Sequence, residues 1–120
     1  MKFTTLKPPS INHIYGYTSR GGFARSYITA EGKAWFAKAQ EDIIRQNHRK
    51  KPIESELEVC IDLYTARRQD VDNIIKPILD ALAKAGVMNN DSQVYRISVE
   101  KFKCPLADQR VEIVVEGYEV

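Results

Sequence analysis

Residues 57–93 read LEVCIDLYTARRQDVDNIIKPILDALAKAGVMNNDSQ. Three elements stand in this stretch. Leu57, Val59, Ile61 and Leu63 alternate with Glu56, Glu58, Cys60 and Asp62. That period of two belongs to a strand with one buried and one wet face. From Val71 to Ala85 the period changes: Val71, Ile74, Ile75, Ile78, Leu79 and Leu82 make one apolar stripe at helical spacing. Gly86 follows as the C′ residue, and Pro77, just beyond the first turn, removes one backbone donor. Asn89-Asn90-Asp91 then turns the chain.

Working outward, Lys2–Lys7 is a short first strand stopped by Pro8-Pro9. Ser10–Tyr27, with its glycines, arginines and aromatics, reads as a long irregular arm. Thr29 is placed to N-cap a helix from Ala30 to about His48, which ends in the basic run His48–Lys51 and Pro52. On the C-terminal side, Tyr95, Ile97 and Val99, then Val111, Ile113 and Val115, predict two strands joined as a hairpin. The order β-α-β-α-β-β predicts an α+β fold. It is expected to be a two-layer sandwich, with one mixed β-sheet and two helices packed on one face.

The 120 residues form one expected domain, 1–120. Hydrophobic residues at 43% and charged residues at 28% exclude a disordered chain or a collagen-like repeat. No apolar run approaches the roughly 18 residues of a membrane span. MKFTTLKPPSINH has no apolar core of a signal peptide. Two cysteines, Cys60 and Cys104, fit free thiols in a reducing compartment, so the expected location is cytoplasmic. Charge is unevenly spread. Residues 1–53 carry ten Lys or Arg against three Asp or Glu; residues 54–120 carry eight against thirteen. A basic surface holding a polyanion beside an acidic site would have this pattern, and so would charges that interleave in three dimensions.

The chemistry-bearing residues are Asp70, Asp72 and Asp91, with Lys76 and Asp80 at successive steps of four from Asp72. If the three aspartates converge at one sheet edge, their repulsion is relieved by a divalent cation, and Mg²⁺ favours such oxygen ligands. Lys76 would then neutralise phosphate charge or orient a water, with Asp80 holding it. The plainer reading makes Asp70 or Asp72 an N-cap, Asp91 a turn former and the 72–76–80 series surface pairs. His13 and His48 have no ligand-like partner at zinc spacing. For phosphate contact the candidates are Arg20, Arg25, Arg67 and Arg68, with Lys33 and Lys38 better read as a solvated helix face. Tyr15, Tyr17 and Phe23 are candidates to stack on bases or to pack the arm onto the domain.

The run D-V-D-N-I-I-K-P-I-L-D-A-L-A-K-A-G, followed by N-D-S-Q-V, resembles the signature of the RusA family of Holliday junction resolvases. P-P-S-I-N-H-I-Y and T-A-E-G-K-A-W are similar to that family's N-terminal motifs, so the resemblance covers essentially the whole chain. It implies a small endodeoxyribonuclease, often prophage-encoded. Asp70, Asp72 and Asp91 would be metal-binding catalytic carboxylates and Lys76 an active-site lysine. It further implies a homodimer that nicks opposing strands of a four-way DNA junction, with Mg²⁺ or Mn²⁺ and no other cofactor. Asn90 departs from the acidic residue often found at that position. The alternatives are a metal-dependent nuclease for other branched DNA or RNA, and a junction-binding protein without catalysis.

Overall fold

The computed structural model describes residues 1–20 and 22–119, with the side chains of Arg20, Phe23 and Ala24 outside the described set. In chain order the elements are β1 (Lys2–Thr5), α1 (Ile11–Ile14), β2 (Tyr15–Arg20), β3 (Phe23–Ile28), α2 (Ala30–Gln46), β4 (Leu57–Thr65), α3 (Asp72–Lys84), β5 (Val94–Lys103) and β6 (Arg110–Gly117). Short 3₁₀ turns at Asp91–Gln93 and Leu106–Asp108 precede the last two strands. The fold is α+β around a mixed four-stranded sheet.

The strand order is β1-β6-β4-β5. β6 is antiparallel to both β1 and β4, whereas β5 lies parallel to β4. The expected hairpin between the last two strands is therefore wrong. β4 sits between them, and the six residues from Cys104 to Gln109, Pro105 among them, carry the chain past it. β4 has the cleanest alternation of the four. Its Leu57, Val59, Ile61 and Leu63 are all essentially inaccessible, which suits the central place. The parallel β4–β5 pair needs a crossover, and α3 supplies it.

One core joins these β4 side chains to Val111, Ile113 and Val115 of β6 and Phe3 of β1. The helices contribute Trp35, Phe36, Ala39 and Ile43 from α2, and Ile74, Ile78, Ala81 and Leu82 from α3. Thr29 caps α2 as its sequence predicts, accepting from the Gly32 N–H at 3.0 Å. Gly32 is needed for another reason: a Cβ there would lie 2.5 Å from the Ile14 carbonyl oxygen. The backbone of α2 thus presses directly on the end of α1. At the close of α3, Gly86 takes φ +81°, its N–H reaches Ala83 O, and Val87 N–H reaches Leu82 O. This is a Schellman ending, in which glycine adopts the left-handed conformation at little cost.

The expected irregular arm is also corrected. It contains α1 and then a separate two-stranded sheet, with Tyr15 opposite Ile28 and Arg20 opposite Phe23. Gly22 has φ +83° just before β3, a conformation that glycine adopts at little cost. Glycine, serine and threonine in these strands blur the alternation that marks β4. No helix among the described residues is long and apolar enough to cross a membrane.

Candidate active site

The connection from β4 to α3 positions the first candidates. Thr65 ends the strand, and its hydroxyl donates to Arg67 O at 2.9 Å while accepting from Arg67 N–H at 3.1 Å. Gln109 braces the same corner, its amide oxygen accepting from Ala66 N–H at 2.9 Å. Gln69 is buried and donates to Pro8 O at 3.0 Å, while its own carbonyl accepts from Lys101 Nζ at 3.0 Å. The segment bearing Arg67, Arg68 and Asp70 is thereby fastened from both sides. Arg67, Arg68 and Asp70 are themselves exposed.

These three residues line a cleft of about 570 Å³ together with Pro8, Pro9 and His13. Lys7 joins its wall and donates to Thr65 Oγ1 at 3.2 Å. Burial, and then the neighbouring Arg67 guanidinium, hold the Lys7 ammonium below its ordinary value. Glu31 and Asp70 are the carboxylates on the wall, against the cations Lys7, Arg67 and Arg68. An anionic backbone is the natural guest of such a surface.

α3 begins without a side-chain cap. Its N-cap is Val71, and Asn73 N–H and Ile74 N–H turn back to the Asp70 and Val71 carbonyls. The plain reading of Asp70 or Asp72 as the capping residue is therefore not what the fold uses, and neither carboxylate forms an ion pair among the described residues. Lys76 is engaged elsewhere. Its Nζ lies 3.4 Å from Asp80 Oδ2 and 5.2 Å from the centre of the Tyr15 ring. The Tyr15 hydroxyl donates to the same Asp80 oxygen. Tyr15 also packs edge-on to Phe36, so it is a packing residue of the domain rather than a free stacking group. Tyr17 is 76% exposed on the hairpin, and Arg25 is exposed there too. The side chains of Arg20 and Phe23 lie outside the described residues.

Asp91 stands apart. It opens the 3₁₀ turn that leads into β5, beyond the far end of α3. Thirteen residues at 1.5 Å each make that helix about 20 Å long, so Asp72 and Asp91 are at its opposite ends. The expected convergence of three aspartates at one sheet edge does not occur within a single chain. The reason is topological: the parallel crossover starts at one end of β4 and must return to the other. The Asp91 turn is held firmly where it is. Gln93 Oε1 accepts from Asn89 N–H at 2.8 Å and Asn90 N–H at 3.0 Å, and its amide donates to Ile53 O and Ser55 O. Asn90, the departure noted above, accepts from Ser92 N–H.

The donor chemistry of Asp70, Asp72 and Asp91, exposed carboxylate oxygens, suits a hard divalent cation. The number of donors brought together does not suffice in one chain. Among the described residues no three His, Cys, Asp or Glu are grouped to hold a metal. Sequence reading missed Gln69, Gln109 and Lys101, and gave Gln93 no role beyond its place in the N-D-S-Q-V run. Uncharged or solitary polar residues carry no pattern that marks them as the fasteners of a site.

An exposed aspartate beside two arginines, on a cleft that Pro8 and Pro9 also line, suits a protein that works on phosphodiesters. The family model for Endodeoxyribonuclease RusA matches residues 7–116. The chain is 35% identical over 100 residues to the crossover junction endodeoxyribonuclease rusA of Enterobacteria phage HK97, covering 82% of this chain and 79% of that one. It is also 35% identical over 95 residues to the RusA protein of Escherichia coli strain K12, covering 75% and 74%. The corresponding protein of Enterobacteria phage 82 matches at 35% over 94 residues, again covering 75% and 74%. The chain belongs to the RusA family of endodeoxyribonucleases, hydrolases that act on DNA phosphodiester bonds.

Proposed function

We propose that this protein resolves four-way DNA junctions by paired nicks, acting as a homodimer with Mg²⁺ or Mn²⁺. The observation that carries the reading is the place of Asp70: on the cleft wall, exposed, and flanked by Arg67 and Arg68. In this reading Arg67, Arg68 and Lys7 grip the phosphates on either side of the scissile bond, and Asp70 and Asp72 face it. The chemistry a hard divalent cation supplies there is charge neutralisation on the phosphoryl oxygens and a more acidic water. Lys76 is held by Asp80 and Tyr15 one helical turn from Asp72, within reach of DNA that crosses the start of α3. Arg25 and Tyr17, on the hairpin, are offered to an arm of the junction.

The distance between Asp72 and Asp91 supports dimer-dependent catalysis. If all three aspartates serve one cation, Asp91 comes from a second copy whose α3 lies antiparallel to the first. Two-fold symmetry then builds two sites at once, matching the two-fold symmetry of the paired cuts. The test is a nicking assay on a synthetic mobile four-way junction with and without Mg²⁺. Linear duplex and Asp70→Asn serve as controls. Symmetric nicks that require metal and disappear in D70N are expected. Tight junction binding without cuts under several divalent metals would replace this reading with that of a binding protein.

A further inference from the structure

Arg67 and Arg68 line a second hollow on the other side of their segment, about 580 Å³ in volume. Its remaining charged residues are Lys101 and Lys103 of β5, and it contains no carboxylate. β5 is an edge strand, so the hollow opens at the side of the sheet. Lys101 is opposite Leu63 and Lys103 opposite Thr65, which puts both lysines on the face shared with the core. The other face of the sheet is different: Asp62 is flanked in register by Glu100 and Glu112, and the cations there, Lys2, Arg96 and Arg110, are each paired with a glutamate. On β5 the two lysines take one face, while Glu100 takes the other together with Arg96, which pairs with Glu58 at 3.4 Å. None of Arg67, Arg68, Lys101 and Lys103 is in an ion pair among the described residues. Four cations that repel one another around one concavity, with no acidic partner, are a surface prepared for an anionic chain.

We infer that Lys101 and Lys103 form a second phosphate-binding track, continuous with the active cleft across Arg67 and Arg68, along which a duplex arm of the DNA substrate leaves the site. The inference rests on the nuclease reading for the identity of the polyanion, and adds the course of the DNA. The segment between the two hollows is fastened by Gln69 to Pro8 on one side and to Lys101 on the other, so the strand would cross a rigid saddle. The contacts are to backbone phosphates and are indifferent to sequence. The track assigns DNA binding to the acidic half of the chain, where net charge conceals it.

The experiment is the salt dependence of binding to a fluorescent four-way junction, measured without divalent cation so that no cleavage is needed. Each lost phosphate contact lowers the slope of log affinity against log salt by about 0.9. K103A, which breaks no hydrogen bond within the protein, should lower it by about one contact, and K101A/K103A by about two. For the double variant, the fall in affinity between about 50 and 200 mM salt then shrinks by roughly tenfold. K101R/K103R should restore the wild-type slope. Wild-type slope and affinity in both K103A and K101A/K103A would overturn the track while leaving the nuclease reading intact. A wild-type protein that shows no salt-dependent junction binding would overturn both. Junction nicking that fails in a protein whose slopes behave as expected would overturn the nuclease reading alone.

Discussion

The Tyr15 hydroxyl donates to the Asp80 carboxylate across 65 positions of sequence, tying the start of the β2–β3 hairpin to the middle of α3. Lys76 lies against both partners, so three residues share one small cluster. Burial raises the Tyr15 phenol above its ordinary value, and the Asp80 hydrogen bond and charge add to the shift. Tyr15 should therefore stay protonated in alkali that would ionise an ordinary phenol. In a spectrophotometric titration near pH 11, wild type and Y15F are expected to show the same phenolate absorbance. A wild-type signal larger by one tyrosine would show that the cluster is open.

Asp72 and Asp91 at opposite ends of α3 yield a complementation prediction. D70N/D72N and D91N are each expected to lose junction nicking by more than about a hundredfold, in keeping with the loss of an essential catalytic group. Co-refolding the two inactive proteins should restore single nicks. The mixed dimer has one site with intact Asp70 and Asp72 from one copy and intact Asp91 from the other. No recovery in verified mixed dimers would mean that each site is built from one chain.

Asp42 governs a pH-dependent part of the stability. It is buried on α2, where its carboxylate accepts from Thr5 Oγ1 of β1 at 2.8 Å and pairs with Arg45 and Lys38. Burial pushes its carboxyl up, but the Thr5, Arg45 and Lys38 donors together outweigh this and hold it below its ordinary value. A lowered carboxyl contributes stability that is present above the unfolded value of about 4 and lost as pH falls through the folded value. D42A should cost about 1–3 kcal/mol at pH 7. In denaturant melts the gap between wild type and D42A should narrow below about pH 4. A gap that stays constant to pH 3 would contradict the assignment.

Gly32 sets two opposing effects against each other. Alanine is the better helix former by about 1 kcal/mol in a helix interior. Its Cβ would meet backbone, the Ile14 carbonyl, at 2.5 Å, and backbone cannot swing aside as a side-chain tip can. Overpacking of this kind costs about 1–3 kcal/mol, so G32A is expected to melt lower than wild type. A higher melting temperature for G32A would mean that α1 yields freely.

Much of this fold was legible because local signals and tertiary packing agree. The alternation of Leu57, Val59, Ile61 and Leu63, the stripe from Ile74 to Leu82, the Thr29 cap and the Gly86 ending all appear where the residues predict them. Each depends on side chains within a turn or two of one another. The hairpin at 15–28 escaped because its small polar residues carry little period. The family signature in 70–94 placed the chain among the RusA endodeoxyribonucleases, since residue types at fixed spacing are a property of sequence.

What only the tertiary structure decided is who stands next to whom. Nothing in the order of the strands says that β4 lies between β5 and β6, because pairing is settled by which face can be buried, not by chain proximity. The same topology parts Asp72 from Asp91, since a parallel crossover must return to the strand's starting end. It also brings Lys101 beside Arg67 and Arg68, from residues more than thirty positions apart, into one unpaired basic hollow. Aspartates nineteen positions apart are neighbours or strangers according to the path of the helix between them, and that path is fixed by the core it buries.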